Sequence, residues 1–128
     1  MNIEGKIAVI TGGASGLGRA TAEMVIAKGG QVAVLDLNEE LAQATAAELG
    51  EAKAYQVNVT DDASVTKAIE AVKSDFGAIH INVNCAGIGA ASRTVGKDGA
   101  LDINKFNFVI QVNLIGTFSV LSLSLIHI

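Results

Sequence analysis

Apolar and polar positions along the chain alternate between two patterns. Lys6-Ile7-Ala8-Val9-Ile10 and Gln31 to Leu37 are short, almost continuous apolar runs, as expected of strands covered on both faces in a parallel sheet. Between them, Gly16 to Lys28 carries Leu17, Ala20, Met24, Val25 and Ala27 at helical spacing and stops at Gly29-Gly30. Asn38 is placed to cap a second helix reaching Leu49, with Glu39 and Glu40 in its first turn and Gly50 beyond its end. Ala52 to Val57 reads as a third strand. Asp61 or Asp62 can cap the helix that follows, which shows Val65, Ala68, Ile69 and Val72 on one face and ends with Phe76 before Gly77. Ile79 to Val83 is a fourth strand, and Gly87 to Leu101 is glycine-rich and without period. Asp102 then caps a last helix, with Phe106, Val109, Ile110, Asn113 and Leu114 at helical intervals. Strand and helix alternate throughout, which predicts an α/β fold with one doubly wound parallel sheet of four strands, ordered 3-2-1-4.

Composition narrows the function classes. A chain of 128 residues that is 50% apolar and 17% charged is globular and long enough for one core. A net charge of −4 offers no basic face, so nucleic acid is not an expected partner. One cysteine, Cys85, excludes an internal disulfide and fits a reducing, cytoplasmic setting. Met1 to Lys6 contains no apolar leader. Phe106 to Ile128 lacks Asp, Glu, Lys and Arg over a length that could span a bilayer. Asn107, Gln111, Asn113, Thr117, Ser119, Ser122, Ser124 and His127 interrupt it, so a buried helix in an α/β core is expected, not a membrane span. No metal site is expected.

The candidate chemistry sits between the first strand and the first helix. Thr11-Gly12-Gly13-Ala14-Ser15-Gly16-Leu17-Gly18 has the spacing G-x-x-x-G-x-G. Gly12 allows a tight turn, Gly16 lacks the Cβ that would keep backbone from a pyrophosphate, and Gly18 lets the helix close on the sheet. Free N–H groups at the helix start then meet phosphates. Ser15 can add a hydroxyl donor, and Arg19 lies one turn in. Asp36 ends the second strand 18 residues after Gly18, where a carboxylate accepts from ribose hydroxyls. It would repel a 2′-phosphate, and no Arg or Lys occurs from Gly29 to Ala52. The turn and the acid together predict a Rossmann-type site for NAD, not NADP.

With Asn84-Cys85-Ala86-Gly87 and Asn113 in order after it, the turn resembles the pattern of the short-chain dehydrogenase/reductase family. Val83 to Ile88, the loop containing Ala91-Ser92-Arg93-Thr94, and Val112 to Phe118 resemble its type-2 3-hydroxyacyl-CoA dehydrogenases, the 17β-hydroxysteroid dehydrogenase type 10 group. The resemblance implies an NAD-dependent enzyme, a homotetramer, interconverting a secondary alcohol and a ketone, with 3-hydroxyacyl-CoA as the substrate. It implies that Ser15 and Leu17 contact phosphate, that Asp36 and Leu37 flank the ribose, and that Asn58 and Val59 hold the adenine. Family members carry Asp where Asn58 stands; an amide oxygen can still accept from the adenine amino group, without charge. Cys85, Ala86 and Gly87 form the end of strand four, where the cofactor passes; Cys85 itself reads as a small packing residue. Asn113 is the one catalytic residue implied, its side chain or a helix irregularity around it holding a water.

The family's chemistry also needs a serine and a tyrosine with a lysine four residues later. The one tyrosine is Tyr55, and Val59 stands four residues on. Ser119, Ser122 and Ser124 do not match the serine. The chain is therefore expected to be a truncated sheet of about four strands plus the following helix, inactive alone, with an open sheet edge and exposed apolar surface on the last helix. Residues 1–122 form its NAD-binding domain. Residues 123–128, Leu-Ser-Leu-Ile-His-Ile, equal the in-frame translation of a transposase mosaic-end sequencing adapter. They are expected to be a non-native tail, and His127 is given no role. The rival reading is a non-catalytic dinucleotide-binding module, such as a redox sensor on the same fold, which would have no use for Asn113.

Overall fold

The computed structural model describes residues 2–128. Four strands, β1 (Ile7–Thr11), β2 (Gln31–Asp36), β3 (Ala52–Gln56) and β4 (Ile81–Asn84), form a parallel sheet in the order β3-β2-β1-β4. Helices α1 (Gly16–Ala27), α2 (Glu39–Leu49) and α3 (Asp62–Phe76) cross between them. The expected sheet order is the observed one.

The apolar runs divide by residue parity. Ala8, Ile10, Val32 and Val34 join Ala22 and Val25 of α1 and Ala42 and Ala46 of α2 in one core. Val9, Ala33 and Leu35 point the other way, into a second core with Val65, Ala68, Ile69 and Val72 of α3, and with Val120. Side chains alternate across a strand, so two covered faces require an unbroken apolar run. The helix ends follow local chemistry. Asn38 Oδ1 accepts from Leu41 N, Asp61 Oδ1 from Ala63 N and Asp102 Oδ1 from Asn104 N, at 2.9–3.0 Å. Gly77 closes α3 at φ 79°, a left-handed conformation that glycine adopts without strain.

Element ends differ from expectation by one or two residues. Strand four begins at Ile81, because Ile79 is already buried in the core and the His80 ring turns back to accept from Ile7 N at 3.1 Å. The stretch expected to be irregular contains a small antiparallel hairpin, β5 (Val95–Gly96) and β6 (Gly99–Ala100), turned over Lys97-Asp98 with Gly99 at φ 111°.

The last helix departs most. It runs as α4 (Ile103–Ile110), a π-helical turn over Gln111–Gly116, and α5 (Thr117–Leu125). Burial as a core helix is not what the structure shows. A stripe of Val112, Gly116, Val120 and Ser124 is buried, whereas Phe106, Phe108, Leu114, Ile115 and Phe118 are exposed. Only one face finds a partner, because α3 and β4 are the elements it packs on. The 23-residue run Ile103–Leu125 is long and apolar enough to cross a membrane by length and composition. Here it is docked by polar as well as apolar contacts: Ser119 Oγ donates to Asp62 at 2.8 Å, and Asn82 Nδ2 donates to Ser124 Oγ at 2.8 Å. Ser124, within the stretch expected to be a tail, is fully buried. The outer edge of β4 has no strand beside it among the described residues. The expected open edge and exposed apolar face are both present.

Tyr55 lies on the far side of the sheet from the glycine turn, against α3. Its hydroxyl donates to Asp75 Oδ2 at 2.7 Å, and Lys53 Nζ stands 3.6 Å from the same oxygen. Burial, with the Asp75 charge beside it, pushes the phenol above its ordinary range. The Tyr55 hydroxyl, then Lys53, holds Asp75 below the usual carboxylate value of 3.8.

Two outcomes are expected. Gly116→Val should lower stability by about 1–3 kcal/mol in urea denaturation, because even a Cβ at Gly116 would stand 2.8 Å from Val59 Cγ2 and 3.0 Å from Val59 O. A depressed carboxylate pKa stabilises the fold above the unfolded value and loses that contribution as pH falls through the folded one. Tyr55→Phe should therefore raise the Asp75 pKa toward 3.8 in a carboxyl NMR titration and shrink the loss of stability below that pH.

Candidate dinucleotide site

The carboxyl ends of β1, β2 and β4, with the segment after β3, converge on one cleft at the point where strand order reverses between β1 and β4. The cleft measures about 500 Å³, within the range of roughly 300–1,000 Å³ usual for small-molecule sites. Gly12, Ser15, Gly16, Leu17, Gly18, Asp36, Leu37, Asn58, Val59, Cys85, Ala86 and Gly87 all line it. Leu35, Val57, Thr60, Ile88, Phe108 and Val112 line it too, without having been assigned to the site from the sequence. Phe108 and Val112 belong to the last helix, whose reach over the cleft no local pattern signals.

The glycine turn is shaped by close approach. Gly12 has φ 62°, and a Cβ there would lie 2.9 Å from Ala86 N and 3.0 Å from Cys85 C and O. Gly12 thus admits the end of β4 as well as the turn. A Cβ at Gly18 would collide with Gly12 O and approach Gly13 Cα, so Gly18 closes α1 on the turn itself more than on the sheet. Gly16 has φ 52° and open space where its Cβ would be, as a backbone that must let a ligand pass requires. Leu17 and Ser15 are exposed at the rim.

Asp36 is held from two sides. Its Oδ2 accepts from Ala14 N at 3.2 Å and its Oδ1 from Asn38 N at 3.0 Å. Each carboxylate oxygen retains a second lone pair, enough to accept two vicinal hydroxyls. Asp36 is the one charged side chain lining the cleft among the described residues. Arg19 does not supply a cation: its Nε bonds Glu23 at 3.1 Å and its terminal nitrogen bonds Glu48 at 2.6 Å. These two glutamates raise its pKa. An anion on the turn would be met by backbone N–H groups and the α1 dipole.

Asn58 differs from expectation. Its Oδ1 accepts from Thr60 N at 3.0 Å and from Thr60 Oγ1 at 2.8 Å, and its own N–H donates to Ser64 Oγ at 3.0 Å. Both lone pairs of the amide oxygen are taken by this turn into α3, so the free group is the Nδ2 donor. The oxygen is not available to an adenine amino group.

Asn113 lies in the π-helical turn and does not line the cleft. Its Nδ2 donates to Ile88 O and its Oδ1 accepts from Ile88 N, both at 2.8 Å. Both ends of the amide are thus bound to one residue of the loop after β4. The helix irregularity that the resemblance implied around Asn113 is present. Thr11 Oγ1 accepts from Ala86 N at 3.1 Å and Thr11 O from Cys85 N at 3.1 Å, which ties that same loop to β1.

Comparison with known proteins agrees with this architecture. The family model for short chain dehydrogenases matches residues 6–127. The 3-hydroxyacyl-CoA dehydrogenase type-2 of Bos taurus is 42% identical over 95% of this chain and 48% of its own. The 3-oxoacyl-[acyl-carrier-protein] reductase of Escherichia coli is 38% identical over 92% of this chain and 47% of its own. The crystal structure of a 3-ketoacyl-(acyl-carrier-protein) reductase from Brucella melitensis complexed with NADH superposes with a TM-score of 0.90 at 32% identity, covering 98% of this chain and 51% of that one. The chain spans about half the length of the curated relatives it matches. It belongs to the short-chain dehydrogenase family.

Proposed function

We propose that this chain forms the NAD-binding part of an oxidoreductase that interconverts a secondary alcohol and a ketone. The observation that carries the reading is the single cleft in which the glycine turn, Asp36 and the end of β4 meet. NAD, when bound, supplies the hydride acceptor. Gly12, Gly16 and Gly18 bring backbone up to its pyrophosphate, with Ser15 and Leu17 at the rim. Asp36, beside Leu37, accepts from the adenosine ribose hydroxyls and disfavours a 2′-phosphate by charge. Val59 and the Asn58 amide nitrogen border the adenine end. Cys85, Ala86 and Gly87 carry the wall toward the reacting end, and Asn113 fixes that wall through Ile88.

Relatives named for 3-hydroxyacyl-CoA and 3-oxoacyl chemistry support an acyl thioester as the substrate class. In the whole protein, 3-hydroxyacyl-CoA oxidation to 3-ketoacyl-CoA is the reaction this chain would serve. The chain's own residues include no tyrosine–lysine pair at a spacing of four. Tyr55 is held protonated by burial and by Asp75, away from the cleft. On this reading the 128 residues bind cofactor without turning it over.

Calorimetric titration of the chain should give tighter binding of NADH than of NADPH; tighter NADPH binding would overturn the cofactor assignment. Asp36→Asn, which keeps an acceptor for Ala14 N but removes charge, should weaken NADH about tenfold and narrow the difference between the two. Hydride transfer to NAD from a 3-hydroxyacyl-CoA should be undetectable with this chain alone, and measurable turnover at 340 nm would contradict it.

A further inference from the structure

Ala14 occupies the middle of the glycine turn, is 2% exposed, and has both backbone groups bound outside the turn. Its N–H donates to Asp36 Oδ2 at 3.2 Å, and its carbonyl accepts from Thr45 Oγ1 at 3.1 Å. Thr45 lies on α2 between buried Ala42 and Ala46, is 1% exposed, and lines no part of the cleft. A polar side chain in that apolar stripe is costly unless it is bonded, and its one partner is the turn.

The geometry of the peptide unit gives this bond a direction. In a trans peptide the C=O and N–H point opposite ways. The Thr45 hydroxyl grips the carbonyl of the Ala14–Ser15 unit, so the Ser15 N–H is aimed away from α2. That N–H has no protein acceptor among the described residues. It precedes the first-turn N–H groups of α1, which helical geometry also leaves free. The two preceding units are fixed as well: Asp36 holds the Ala14 N–H of the Gly13–Ala14 unit, and the Gly13 N–H of the Gly12–Gly13 unit donates to Leu35 O at 3.2 Å.

We propose that Thr45 is a positioning residue of the dinucleotide site, orienting the Ser15 N–H toward phosphate without touching the ligand. The proposal rests on the dinucleotide reading above. Ala14 thereby joins the two halves of that site, since Asp36 braces the peptide on one side of it and Thr45 the peptide on the other. A hydroxyl that acted only in packing would affect every part of the ligand alike, whereas this one acts on the phosphates.

The test separates phosphate from nucleoside. ADP and adenosine are titrated into the wild-type chain and into Thr45→Val, which keeps shape and removes the hydroxyl, with binding read by NMR. Thr45→Val should weaken ADP about fivefold, the worth of one hydrogen bond, and leave adenosine unchanged. Thr45→Ser should restore ADP binding, and Thr45→Ala should show the Val pattern without adding a methyl to a tight site. Equal losses for ADP and adenosine, or no loss for either, would overturn the role given to Thr45. A wild-type chain that binds ADP no better than adenosine would remove the dinucleotide reading, and this proposal with it.

Discussion

The functional end of the molecule depends on β1 being enclosed in every direction. It is paired to β2 on one edge and β4 on the other, and all five of its residues are buried. A strand in that position leaves the sheet only at its end, and the segments following β2 and β4 leave beside it. The convergence is steric before it is chemical. Gly12 passes within contact of Cys85 and Ala86 because β1 and β4 are neighbours, and Thr11 spends its buried hydroxyl on the Ala86 N–H. Asp36 reaches Ala14 for the same reason from the β2 side. What converges there is mostly main chain, so the cleft takes its polarity from peptide groups.

The elements and the rim of the site were legible because their signals are local. A strand covered on both faces must be apolar throughout, and β1 and β2 are. A helix start needs an acceptor, and Asn38, Asp61 and Asp102 supply it. The turn advertises itself through its glycines. Most of what escaped depends on partners distant in sequence. Nothing around Arg19 announces Glu48, 29 residues away, as the group that neutralises it. Asn58 looked like an open acceptor because Thr60, two residues on, is as ordinary a neighbour as any. Thr45 did carry a signal, a polar residue on the buried stripe of α2, but its meaning requires knowing that Ala14 packs there. The π-helical turn and the one-sided burial of the last helix have no compositional mark: the first was implied only by the resemblance, the second only by the expected open sheet edge. An extra residue in a helix turn changes direction without changing polarity.

The last helix also shows how a few contacts can set the position of other elements. Asn113 binds both polar groups of Ile88, and Gly116 seats the next turn against Val59. The loop after β4 and the loop after β3 are thus held by the same helix, one on each flank of the cleft. Two buried side-chain oxygens on β4, Asn82 Oδ1 and Asn84 Oδ1, have no partner among the described residues. They mark this edge of the sheet as its least satisfied part.

The glycine turn has a consequence for how this site can vary. Its work is done by positions with nothing beyond the Cα, at Gly12 and Gly18, and by peptide groups that every residue possesses. Truncating side chains one at a time along Thr11 to Gly18 would therefore miss most of what matters, since the damaging changes there are additions. Selection at such a site acts on volume, and it is one-directional: many substitutions are forbidden for what they add and few for what they remove. Ser15 and Leu17, exposed at the rim of the cleft, have room for their side chains, while the gaps beside them must stay empty.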